Sequence, residues 1–222
     1  MGRYAAVLFD LDGTLCRHEQ AIEPAFHGAF EDLGVEPVGE PADLWTAMRA
    51  ITEFEGETEQ LADGIARVAA DHDCELDARA WSEAFVDRLD WTDVSFLPGA
   101  ERALAAARAN GSVGLLTNGP EPRQSTKLAA LGLDGAFDPV VYAGDLDRRK
   151  PHREPFDRAV ATLGVSPERV LYVGNSLEHD VDGALDAGLP VAWLDADGDG
   201  PGDRRPTHTL RSVDELAAVL GA

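Results

Sequence analysis

The sequence predicts a doubly wound parallel α/β sheet into which an all-helical segment is inserted. Three observations predict it. From Ser112 onward, short apolar runs of strand length alternate with amphipathic helical stretches, as parallel strands joined by crossover helices require. A further run of this kind, Tyr4 to Phe9, stands alone at the start of the chain. Between it and the rest, residues 17–95 carry helical periodicity with no strong strand signal.

Tyr4 to Phe9 reads as a buried strand that ends abruptly in Asp10-Leu11-Asp12-Gly13-Thr14. Ligands of open α/β sheets bind beyond the carboxyl ends of the strands, so an acid at Asp10 is placed for chemistry rather than packing. Asp12, two residues on, points to the same side if the chain is still extended. Two converging carboxylates repel unless a cation or a shared proton compensates, which implies a hard, oxygen-seeking ion such as Mg²⁺. Gly13 permits a turn closed to other residues, and Thr14 adds a hydroxyl and an amide. A polar loop after a core strand is the competing reading, and a lone DxD does not decide between them.

Helices are expected near Glu23 to Leu33, Ala42 to Ile51, Thr58 to Asp71 and Asp77 to Leu89, with Gly34, Gly39 and Gly56 as punctuation. Their apolar residues (Phe26, Phe30, Leu33; Leu44, Trp45, Met48; Leu61, Ile65, Val68; Trp81, Phe85, Leu89) recur at helical spacing, so each helix has one face to bury. A small bundle core accounts for most of them. Linkers fall near Cys16 to Ile22 and Asp90 to Pro98.

Pro98-Gly99 opens a helix that Gly111 ends. The strand Ser112 to Leu116 delivers Thr117-Asn118-Gly119 at its tip, before a helix from about Glu121 to Leu131. Read locally, Thr117 or Asn118 caps that helix. Pro139 to Tyr142 is the next strand, followed by Arg148-Arg149-Lys150-Pro151. Lysine is informative here, because Lys127 and Lys150 are the only lysines among 19 basic residues. An ammonium reaches between carboxylates and a phosphate as a point charge, where a guanidinium favours planar pairing. A solvated basic turn is the alternative, and Arg148 and Arg149 read as solvated or as steering anionic substrates.

A helix from Arg153 to Leu163 leads to the strand Val170 to Val173, which delivers Gly174-Asn175-Ser176-Leu177-Glu178-His179-Asp180 into a helix rich in small residues. Glu178 and His179 read as partners of that helix start. Val191 to Leu194 is a fifth strand. The acidic loop Asp195 to Asp203 imitates half of a calcium loop through Asp195, Asp197, Asp199 and Gly200, but its twelfth position is Pro206 and no helix flanks it, so calcium is discarded. Thr207 to Leu210 reads as an edge strand and Val213 to Leu220 as a closing amphipathic helix.

Composition narrows the function. The 222 residues carry 41 acids against 19 bases, a formal net charge of -22. The acids are spread along the chain, and this acidic, lysine-poor composition resembles proteins of salt-loving archaea, where cations screen the repulsion. Such a field repels nucleic acid. Cys16 and Cys74 make neither a disulfide framework nor a zinc cluster, and no apolar run approaches membrane-spanning length, so a cytoplasmic protein without a membrane partner is expected.

Taken in order, Asp10-Leu11-Asp12-Gly13-Thr14, Thr117-Asn118-Gly119, Lys150-Pro151 with Phe156, and Gly174 through Asp180 resemble the four motifs of the haloacid dehalogenase-like (HAD) superfamily over essentially the full chain. The resemblance is to phosphoglycolate phosphatase-like members with a C1-type helical cap. It implies a Rossmann-like core of residues 1–16 and 96–222 and a helical cap of residues 17–95. It implies Asp10 as nucleophile, Asp12 as general acid/base and Lys150 as the cation stabilising nucleophile and phosphoryl. Thr117, Asn118 and Gly119 are implied as phosphate binders, and Asp10, the Asp12 carbonyl, Asn175 and Asp180 as holders of Mg²⁺.

The implied activity is Mg²⁺-dependent hydrolysis of a small phosphorylated metabolite through an aspartyl-phosphate. Asn175 departs from the family's usual aspartate, which removes a charge from the ion and shifts its binding toward Asp180. A phosphomutase and a non-catalytic binding protein on this scaffold remain alternatives. A 2-haloacid dehalogenase is opposed by Asp12 and left open by Asn175. Schiff-base phosphonate cleavage needs a cap lysine, and residues 16–97 contain none.

Overall fold

The computed structural model describes residues 3–51, 57–196, 198 and 200–221; Gly56, Asp197 and Asp199 of the sequence reading lie outside them. By internal contacts the chain divides into two compact units, residues 20–90 and the remainder. The larger unit is built on β1 (Ala6–Phe9), β4 (Ser112–Thr117), β5 (Val140–Tyr142), β6 (Val170–Gly174), β7 (Val191–Leu194) and β8 (His208–Leu210). All pair in parallel, in the order β5-β4-β1-β6-β7-β8. The chain winds outward from β1 first to one side and then to the other. The strand order therefore reverses beside β1, where such sheets open a ligand crevice.

Register levels the strand tips. Phe9 lies opposite Leu115 on β4 and Val173 on β6, so Asp10, Thr117 and Asn175 emerge at one edge. The β1 residues Val7 and Phe9 pack into one core with Leu104 and Leu128, while Ala6 and Leu8 pack into the other with Phe156 and Val181. Alternation along a strand covered on both faces accounts for its unbroken apolar run. Each large side chain so buried contributes about 2–3 kcal/mol.

Helices α5 (Ala100–Asn110), α6 (Glu121–Ala130), α7 (Arg153–Leu163), α8 (Gly183–Asp186) and α9 (Leu216–Leu220) belong to this unit. Three details depart from the sequence reading. Cys16–His18 (β2) pairs antiparallel with Val94–Phe96 (β3), so both expected linkers carry strand. The segment after β6 is a π-helical turn, Leu177–Asp182, before α8 begins. The closing helix opens as a 3₁₀ turn over Val213–Glu215. In the acidic loop, buried Asp195 accepts hydrogen bonds from the amides of Gly198 and Gly200 and pairs with Arg211, which makes it the loop's organiser.

The smaller unit holds α1 (Ile22–Asp32), α2 (Pro41–Arg49), α3 (Glu57–Asp71) and α4 (Ala78–Asp87). A capping box between Glu40 and Asp43 with Pro41 at the first position starts α2, and Asp77 caps α4. Its core is aromatic: Trp81 stacks on Phe85 at 5.1 Å and meets Phe26 and Phe30 edge-on. Trp45 was expected on a buried face but lies exposed, because Leu44 and Met48, one turn apart, already fill the inward side of α2. No helix among the described residues is long and apolar enough to cross a membrane.

Candidate active site

At the tip of β1 the chain makes a tight turn in which Leu11 O accepts from Leu15 N and Cys16 N, and Gly13 N donates to Cys16 O. Gly13 has φ +75°, and a Cβ there would stand 2.5 Å from Asn175 Nδ2. Both the turn and the neighbour demand glycine. The turn leaves Asp10 buried and Asp12 exposed, so the two carboxylates meet different surroundings.

Asp10 Oδ1 accepts from Lys150 Nζ at 2.8 Å, and Asp10 Oδ2 accepts from Thr14 Oγ1 at 3.1 Å. Lys150 is buried and donates also to Asp180 Oδ1 at 2.7 Å and to the Tyr172 hydroxyl at 3.0 Å. Burial pushes the Asp10 carboxyl up to about 7, with Lys150 pulling it back and Asp180 adding to the rise. Burial pulls Lys150 down, yet the charges of Asp10 and Asp180 outweigh it and hold the ammonium above its ordinary value. Burial, with Asp180 and Asp10 nearby, keeps Tyr172 neutral and a donor, and its hydroxyl bonds Asp180 Oδ1 at 2.8 Å.

Asp180 is closed off. Its Oδ1 takes Lys150 and Tyr172, and its Oδ2 takes the amide of Ser176 at 2.9 Å. Among the described residues no three His, Cys, Asp or Glu side chains converge as an ion cage. The oxygen donors that do converge near β1 are Asp10 Oδ2 and Asn175 Oδ1, both within reach of the Thr14 hydroxyl, at 3.1 and 3.3 Å. These two oxygens are the chemistry a hard divalent ion takes, and such an ion would also offset the burial cost of ionised Asp10. Trp193 Nε1 donates to Asn175 O at 2.9 Å and holds that turn in place.

Thr117 is buried at the end of β4, and its Oγ1 accepts from Gln124 Nε2 at 2.5 Å and from Gly119 N at 3.5 Å. With its acceptor directions engaged, the hydroxyl hydrogen is what Thr117 has left to offer an anion. It does not cap α6, whose N-cap is Pro120. Asn118 spends its side chain on Lys150, accepting from the Lys150 amide at 2.9 Å and donating to the Lys150 carbonyl at 3.1 Å. Gly119 lies under Gln124: a Cβ there would meet that side chain at 2.5 Å. Of the flanking residues, Glu178 is exposed, and His179 gives its amide to the cap Ser176.

The structure thus brings Asp10, Asp12, Thr117, Asn118, Lys150, Asn175 and Asp180 to one sheet edge. Sequence reasoning missed Tyr172, Gln124 and Lys127. Tyr172 sat unnoticed inside an apolar run. Lys127 donates to Asp12 Oδ1 at 2.7 Å and Gln124 to Asp12 Oδ2 at 2.8 Å. The scarcity of lysine was the available signal, since both lysines hold a carboxylate of the first turn.

Comparison with known proteins follows the same line. Residues 4–188 match the haloacid dehalogenase-like hydrolase family. A pyrimidine 5'-nucleotidase, YjjG of Escherichia coli strain K12, is 38% identical over 127 residues, which span 56% of this chain and 56% of the relative. A phosphoglycolate phosphatase of Salmonella paratyphi A is 29% identical over 203 residues, covering 85% of this chain and 80% of that protein. The solved structure of the HAD-hydrolase YfnB from Bacillus subtilis, bound to magnesium, superposes with a TM-score of 0.80 at 24% identity, over 99% of this chain and 100% of that one. At that identity the likeness speaks for the fold.

Proposed function

The chain belongs to the haloacid dehalogenase-like hydrolases, and from that premise we propose that it is a phosphatase of small phosphate monoesters that works through an aspartyl-phosphate on Asp10. The observation that carries the reading is the pairing of two unlike aspartates. Asp10 is buried against Lys150, while Asp12, two residues on, has 46% of its side chain exposed and is gripped from behind. One suits a nucleophile and the other a proton carrier that must reach solvent and leaving group.

In the proposed reaction an Asp10 oxygen bonds to phosphorus as the ester P–O bond breaks, and Asp12 gives its proton to the departing alcohol. Asp12 then takes a proton from water, the water oxygen attacks phosphorus, and inorganic phosphate leaves with Asp10 regenerated. Lys150 and the Thr117 hydroxyl offset charge on the phosphoryl oxygens, and the Asn118 amide is a further donor, while the Gly119 amide is turned to Thr117. Mg²⁺ held by Asp10, the Asp12 carbonyl and the Asn175 amide oxygen would supply Lewis-acid stabilisation of the same oxygens. We assign Asp180 to holding Lys150 rather than to the ion, because its oxygens are already engaged. The helices of residues 20–90 are proposed as the cap that excludes water and selects the ester.

The test is phosphate release from p-nitrophenyl phosphate and a panel of phosphoglycolate, glyceraldehyde 3-phosphate, glycerol 2-phosphate, sugar phosphates and nucleoside monophosphates, at high KCl with Mg²⁺. Turnover abolished by EDTA and by Asp10→Asn is expected. No turnover of any ester at saturating Mg²⁺ contradicts the reading. Asn175, neutral where the family usually has aspartate, leaves open one second reading that Asp12 opposes, a dehalogenase; chloride release from 2-chloropropionate without metal would support it instead.

A further inference from the structure

We infer that Lys127 and Gln124 are positioning residues that hold the Asp12 carboxylate in the orientation needed to protonate the leaving group. The inference rests on the phosphatase reading above and extends it to residues outside the four motifs.

Both residues lie on α6, three apart and therefore on one face, and both are buried. They divide Asp12 between them, Lys127 Nζ on Oδ1 at 2.7 Å and Gln124 Nε2 on Oδ2 at 2.8 Å. Gln124 Nε2 also bonds Thr117 Oγ1, so one amide ties the proton carrier to the residue offered to the phosphoryl group. A buried ammonium paired with an exposed carboxylate is a poor source of stability, since the lysine loses hydration and the aspartate does not need it. The arrangement makes sense as orientation.

Lys127 is itself held from the side. Its Nζ stands 5.2 Å from the centre of the Trp91 ring, whose face also carries the Arg123 guanidinium at 4.6 Å, and His18 meets the ring edge-on at 5.5 Å. Trp91, His18 and α6 thus form a wall behind Asp12. With two donors on its two oxygens, Asp12 loses its side-chain rotation while its outer surface stays open to substrate.

Positioning for proton donation has a signature that a structural role lacks. An alkoxide leaving group needs the proton, whereas p-nitrophenolate departs readily without it. The experiment compares Lys127→Met, Lys127→Arg and Gln124→Leu with the parent on p-nitrophenyl phosphate and on whichever of phosphoglycolate, glyceraldehyde 3-phosphate and glycerol 2-phosphate the parent hydrolyses fastest. For Lys127→Met the ratio of alkyl to aryl kcat should fall by about 100-fold, with KM for the alkyl ester little changed. Gln124→Leu should move the ratio in the same direction, and Lys127→Arg should restore part of it.

Equal loss on both esters, or no loss on either, in variants whose melting temperature matches the parent overturns the inference. A parent that hydrolyses only the aryl ester overturns it too, because Asp12 is then not set for proton donation. A parent that hydrolyses no ester instead removes the phosphatase reading itself.

Discussion

The side chain of Asn118 closes two hydrogen bonds on the backbone of Lys150: its Oδ1 accepts from the Lys150 amide at 2.9 Å and its Nδ2 donates to the Lys150 carbonyl at 3.1 Å. The tip of β4 therefore carries the loop that delivers the central cation, and the lysine's reach to Asp10 is set from 32 residues away. Asn118→Ala keeps the Lys150 charge but frees its backbone. Its kcat should fall by about 100-fold, as for a misplacement near 1 Å, with a much smaller change in melting temperature. Steady-state kinetics beside a thermal melt checks this.

Lys150 is the charge that lets Asp10 and Asp180 share a buried site. Lys150→Met should inactivate the enzyme and destabilise it by about 3–5 kcal/mol, the cost of leaving buried charge unpaired. Asp10 already sits at about 7 through burial, and removing the lysine removes what pulls it down. An acid whose folded pKa lies above its unfolded one costs nothing below the unfolded value and costs more as pH rises toward the folded one. The stability deficit should therefore be larger at pH 8 than at pH 5, which urea unfolding at the two pH values measures.

Asn175 gives the proposed ion a neutral oxygen where an acid would give a charge. Asn175→Asp should lower the Mg²⁺ concentration for half-maximal activity by about tenfold, in line with the dependence of affinity on ligand charge. Titrating activity with Mg²⁺ in parent and variant tests it; an unchanged midpoint places the ion away from this turn.

The two cysteines should separate in reactivity. Cys16 is fully buried in the core, and burial, then Asp12, pushes its thiol up to about 12 against the pull of Lys127, whereas Cys74 is only partly covered. Thiols react as thiolates, so at pH 8 the thiolate share of Cys16 falls about a thousandfold from its ordinary level. A thiol reagent at pH 8 should modify Cys74 alone in the native protein and both residues in urea.

The sheet was legible because its signals are local. Apolar runs such as Val170 to Val173 and Val191 to Leu194, bounded by turn residues, read as buried strands without knowledge of their neighbours. The β2–β3 pair was not legible, since each strand is three residues long and only their mutual pairing makes them strands. Asp10 and Asp12 could be singled out as acids just past a strand end, and Lys150 as one of only two lysines. Lys127, Gln124 and Tyr172 act through contacts spanning 115, 112 and 22 residues, which no reading along the chain supplies. Asp180 was visible as an acid, but which partner its oxygens face was decided by Tyr172 and the Ser176 amide.

Covalent chemistry on Asp10 is the centre of the account. Turnover samples quenched in acid within milliseconds and digested with pepsin at low pH, then sequenced by mass spectrometry, should show a phosphoryl group on Asp10 that forms before product accumulates and is missing in Asp10→Asn. Product accumulating with Asp10 unmodified throughout, or a phosphoryl group on any other residue, would contradict it.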